Sequence, residues 1–147
     1  MPLNRWLSSK GRRRRLSTYS RRGQSLVETI AGIMVLIPLG LFSFDLTIVL
    51  MANQTNKEIA ENAARAASNQ LGVAKATQAA IGAINKATKT ANITNITLLD
   101  LNYNVGTGNV TVTTEVDVQL PVAFPGVKQI NLRYTAIEPI VAIPGPA

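Results

Sequence analysis

Hydrophobic and polar positions divide the chain into four stretches. Residues 1 to 23 have no apolar period and are rich in Ser, Gly and Arg. Such a composition cannot bury enough surface to fold, so this stretch reads as an unfolded leader. From Thr29 to Phe44, 16 residues carry no charge, and after Asp45 the apolar character resumes through Ala52. The 24 residues from Thr29 to Ala52 make a helix of roughly 36 Å, enough to cross a hydrocarbon core of about 30 Å. Pro38 lies inside this run with no other turn signal near it, which predicts a kink and not an end.

Residues 53 to 91 are dominated by alanine. Ile59, Ala63, Ala66 or Ala67, and Gln70 or Leu71 recur at helical spacing. Glu58 and Glu61 precede Arg65 at distances that favour a helix. Gly72 and Gly82 weaken the pattern and offer places where the helix could split, but one long helix, half in a membrane and half outside it, is the simplest expectation.

From residue 92 onward the period changes to two. Val110, Val112, Thr114, Val116, Val118 and Leu120 share one face of a strand, with Thr111, Thr113, Glu115, Asp117 and Gln119 opposite. Leu99, Leu101, Tyr103 and Val105 suit a preceding strand, joined to it by a turn over Gly106 to Asn109. Ile130, Leu132, Tyr134 and Ala136 suit a third. The expected fold is therefore α+β: a long N-terminal helix, transmembrane and then extracytoplasmic and Ala-rich, followed by a small antiparallel β-sheet packed on it. Alanine side chains would let helix and sheet approach closely.

Charge and composition sharpen this picture. The formal net charge of +7 is not spread along the chain. Residues 1 to 22 hold eight basic residues and no acid, whereas the rest holds seven basic against eight acidic, a balance of −1. With eight positive charges before the span and only Lys57 and Arg65 in the 15 residues after it, the N-terminus belongs in the cytoplasm and the bulk of the chain outside. Arg12 to Arg15 are therefore read as a topology signal, and no nucleic-acid partner is expected. The chain contains neither histidine nor cysteine. Imidazole and thiolate catalysis, the corresponding zinc sites and disulfides are thereby excluded. No paired-carboxylate motif stands in their place, so neither an enzyme nor a cofactor is expected. Gly106-Thr107-Gly108 reads as a turn, because no phosphate-binding Lys-Ser/Thr pair follows it.

Two acids lie where acids are costly. Glu28 stands on the way into the apolar run, near Arg21 and Arg22. Asp45 interrupts the run itself. It suits either an interfacial position reached by water or a contact inside a helix bundle.

Gly23 followed by Gln24-Ser25-Leu26-Val27-Glu28 resembles a class III signal peptide. In type IV pilins and pseudopilins a short basic leader ends in glycine, cleavage follows it, and glutamate is the fifth mature residue. The string Arg21 to Glu28, an apolar run containing Pro38, the acid at Asp45 and the stretch Asn62 to Ser68 resemble the TadE-like pseudopilins of tight-adherence (Tad/Flp) pili. The likeness covers residues 21 to about 70 well and the remainder in outline. It departs at Thr29, where the family often has phenylalanine.

The resemblance implies a filament subunit anchored in the inner membrane, later part of a surface pilus, with Gly23 and Gln24 as processing site and Glu28 as assembly residue. Its implied partners are a prepilin peptidase, other pilins or pseudopilins in a homo- or hetero-oligomeric filament, an inner-membrane assembly platform and the lipid bilayer. Cleavage after Gly23 would free an α-amino group on Gln24, four residues before Glu28. In a low-dielectric helix core, a neighbour's amine would then neutralise the carboxylate and set the axial stagger. The resulting domains would be a cleaved leader (1–23), a transmembrane helix (24–52), an Ala-rich extracytoplasmic helix (53–91) and a β-rich region (92–147). Two other classes fit the leader and span: an uncleaved, signal-anchored extracytoplasmic binding domain, and a twin-arginine-exported soluble protein cut after Ala52.

Overall fold

The computed structural model describes residues 20–122 and 127–142, with side chains from residue 23 onward. Most of the expected leader lies outside these residues. Its last four positions do not, and they are helical: α1 runs from Ser20 to Ser68 and continues through Pro38. The chain divides into two compact units at Pro38.

In the first unit, every described side chain from Gly23 to Pro38 is exposed, including Leu26, Val27, Ile30, Ile33, Met34 and Val35. An apolar helix of this kind satisfies its own backbone and needs only an apolar solvent. Its one described hydroxyl hydrogen bond follows the same rule, Thr29 Oγ1 donating to the Ser25 carbonyl at 2.8 Å.

The second unit holds the rest of α1, a second helix and the sheet. Here α1 buries a stripe at helical spacing: Asp45, Ile48, Ala52, Asn56, Ile59, Ala60, Ala63, Ala64 and Ala67. The Ala-rich stretch is two helices and not one. α1 stops at Ser68, and α2 covers Val73–Lys86. The break falls at Gly72, whose φ of 86° and ψ of 152° lie in a region that essentially only glycine occupies. Gly82 is held inside α2. Of Gln70 and Leu71, the two positions that could end the stripe, Gln70 is half-buried and Leu71 is 49% exposed in the break. Cations suit both helix ends, Arg65 in the last turn of α1 and Lys86 in that of α2. The Ser68 carbonyl, an orphan of helix termination, accepts from the N–H groups of Val141 and Ala142 at 3.1 and 3.2 Å.

The sheet is an antiparallel meander, β1 (Ile93–Asn104), β2 (Asn109–Gln119) and β3 (Gln129–Pro139), with β2 central. β2 keeps the expected register: Val110, Val112, Thr114, Val116 and Val118 are buried and their alternates are not. Ile130, Leu132, Tyr134 and Ala136 likewise point inward from β3. β1 departs from expectation. Register shifts between Ile93 and Asn95 and between Leu98 and Asp100 interrupt the period of two. The inward side chains are therefore Ile93, Ile96, Leu98, Leu101 and Tyr103, while Leu99 is exposed. Val105, expected as a strand residue, is 77% exposed in the loop. That loop spans residues 105 to 108, one position earlier than the expected turn, with Gly108 at φ 69° and Asn109 already in β2.

Helix α1 and the sheet are joined by a polar peg. Asn56, fully buried, donates from Nδ2 to the Leu132 carbonyl at 2.9 Å and accepts from Thr114 Oγ1 at 2.7 Å. A second link is on the surface, where Arg65 bridges Glu138 at 3.2 Å and Glu61 at 3.4 Å. Exposed pairs of this type contribute little, so the alanine–valine interface and the peg carry the packing.

Candidate functional site

Gly23, Gln24 and Glu28 occupy the early turns of α1, all exposed. Beyond its chain neighbours and its own helix backbone, a Cβ built on Gly23 would meet no described atom within 4 Å. Because Gln24 and Glu28 are four apart on a helix, they share a face, and an α-amino group on Gln24 would start one turn from the carboxylate. Glu28 has no hydrogen bond or ion pair among the described residues, and Arg21 and Arg22 are described only by their backbone. The exposed residues that share its face, three and four positions away, are Gln24, Ser25, Ala31 and Gly32.

Asp45 belongs to the other unit and to a different environment. It is 5% exposed, and neither carboxylate oxygen has a hydrogen-bond partner among the described residues. Asp45 lines a cleft of about 300 Å³ together with Phe42, Leu46 and Val49 of α1 and Leu120, Val127 and Ile130 of the β2–β3 side. A smaller cleft of about 50 Å³ lies further along α1, at Ile48, Met51 and Ala52, beside Thr90, Asn92 and Ile93.

The four residues singled out in the sequence thus fall into two groups. The structure brings the processing pair and Glu28 onto neighbouring turns, and it puts Asp45 into a cleft whose far wall lies some 75 residues away or more. Leu120 and Ile130 of that wall were legible as apolar strand positions, but nothing in the sequence paired them with Asp45. The Asn56 peg did leave one: a lone amide at position i+4 after Ala52 and i−4 before Ala60, in the middle of an otherwise apolar stripe.

The helix Gly23–Ser68 is long and apolar enough to cross a membrane. Together with the sheet packed on its Ala-rich part, this defines an α+β protein with a helix compatible with a membrane anchor. Comparison with family models, with curated proteins and with solved structures finds no match to this chain.

Proposed function

We propose that this chain is a pilin-like structural subunit of a bacterial surface filament, most similar in plan to a TadE-like pseudopilin. A prepilin peptidase trims it after Gly23. The subunit is held in the inner membrane, N-terminus inside, until an assembly platform draws it into the filament with other pilins. The observation that supports this most is one continuous helix that carries the Gly23–Glu28 motif in its first turns, an exposed apolar surface next, and a folded β domain on its last turns. Such a helix has two apolar environments available to it, lipid before assembly and neighbouring helices afterwards. The twin-arginine alternative, with cleavage after Ala52, sits poorly with these features: Ala52 and Asn56 are both buried, and a cut between them would fall inside α1.

In a filament core, the Glu28 carboxylate is neutralised by a neighbour's freed amine at one axial stagger, which makes it a register device. The test is Glu28→Leu in cells that make the filament. The variant is expected to insert and to be trimmed normally, yet to be missing from, or fail to support, filaments sheared from the surface. Wild-type levels of filament incorporation would remove Glu28 from assembly.

A further inference from the structure

Asp45 is the one ionisable side chain that is buried without a partner among the described residues. An unpaired carboxylate in apolar surroundings is strongly unfavourable, so its site calls for a donor. Water answers poorly: an ordered water needs two to four polar partners, and among the described residues Asp45 is the sole polar side chain of the lining. The occupant that fits has a cationic N–H donor at one end and an apolar body at the other. Phe42 and Leu46, each 50% exposed, belong both to the cleft wall and to the apolar surface of α1, so the cleft is continuous with a surface suited to lipid. Lys128, next to the lining residue Val127, is exposed, and its carbonyl is tied to the Leu120 N–H at 3.1 Å. A positive charge thus stands one residue along the chain from the cleft lining, available to a negative oxygen beside the cationic end.

We propose that this cleft binds an aminophospholipid of the phosphatidylethanolamine type. The primary ammonium donates to the Asp45 carboxylate, the phosphate lies toward Lys128, and the adjoining apolar chain packs on Phe42, Leu46 and Ile130. The proposal rests on the membrane-anchored part of the functional reading and is independent of filament assembly. Headgroup chemistry makes it selective. A primary ammonium offers charge and three N–H donors, choline offers charge without a donor, and glycerol offers hydroxyls without positive charge.

The test uses the full chain, extracted from membranes in mild detergent and offered equimolar dioleoyl phosphatidylethanolamine, phosphatidylcholine and phosphatidylglycerol, with bound lipid read by native mass spectrometry. Retention of the ethanolamine lipid is expected to exceed that of the others about tenfold, the scale of one charge-assisted hydrogen bond. Asp45→Asn, which keeps the side chain's shape, is expected to bring the three lipids to parity. Leu46→Trp, which fills the cleft, is expected to lower retention of the ethanolamine lipid with an unchanged circular dichroism spectrum. Equal binding of the three lipids by wild type, or a preference that survives Asp45→Asn, overturns the proposal. So does loss of self-association in Asp45→Asn without any change in lipid retention, which would give the carboxylate a protein partner. Because bound lipid is read separately from cleavage and filament incorporation, failure here leaves the filament reading standing, and the converse holds.

Discussion

Three side chains show how the same physical cost is met differently. Glu28 is exposed at the start of α1, Asp45 is enclosed without a donor, and Asn56 is enclosed with both its donor and its acceptor used. Of these, Asn56 is the one whose contribution belongs to folding. Asn56→Leu leaves the Thr114 hydroxyl and the Leu132 carbonyl buried without their partner, an expected loss of about 1–3 kcal/mol in denaturant unfolding of the detergent-solubilised full chain. Adding Thr114→Val removes one of those stranded groups, so the double variant should be more stable than additivity predicts. Additive losses would show that the peg is not a coupled unit. The costly acids were legible in the sequence because a charge in an apolar run stands out against its neighbours. What surrounds Asp45 was not, since Leu120, Val127 and Ile130 are brought to it by chain reversal, and their strand pattern says nothing of that pairing.

At the scale of elements, legibility followed how regular the pattern is. β2 is central and one of its faces is covered, so a one-residue slip would bury Glu115 and Asp117, and its register could be read directly. β1 is an edge strand with two register shifts, and each shift moves the inward phase by one residue. A strict period of two therefore misplaces Leu99. Helix continuity failed at Gly72 for a related reason. Alanine favours helix on both sides of it, and the stop is set by one backbone conformation and by the Val141 and Ala142 amides that take the Ser68 carbonyl from the far end of the chain. The register itself makes a prediction. Val116, fully buried, changed to Asp should destabilise the β domain by several kcal/mol. Asp117→Val, on the opposite face, should shift stability by less than about 0.5 kcal/mol. Equal shifts in thermal unfolding would contradict the strand's orientation.

For the whole molecule, the division of charge and apolar surface is the organising fact. On the proposed reading, a basic leader, an apolar span whose first 16 residues carry no charge and a nearly neutral remainder would direct the chain to a membrane with its N-terminus inside. If the proposed pilin-like reading holds, the leader up to Gly23 is removed. Glycine before the scissile bond permits a close approach of the peptidase to the backbone. Gly23→Val should therefore leave an uncleaved protein that still inserts N-in, detectable by protease protection of the C-terminal domain in spheroplasts and by its retained leader. The most direct measurement is the intact mass of the wild-type protein isolated from native membranes. The expected chain begins at Gln24; a chain that still carries the leader ahead of Gln24, or one that begins at Asn53, would contradict this reading.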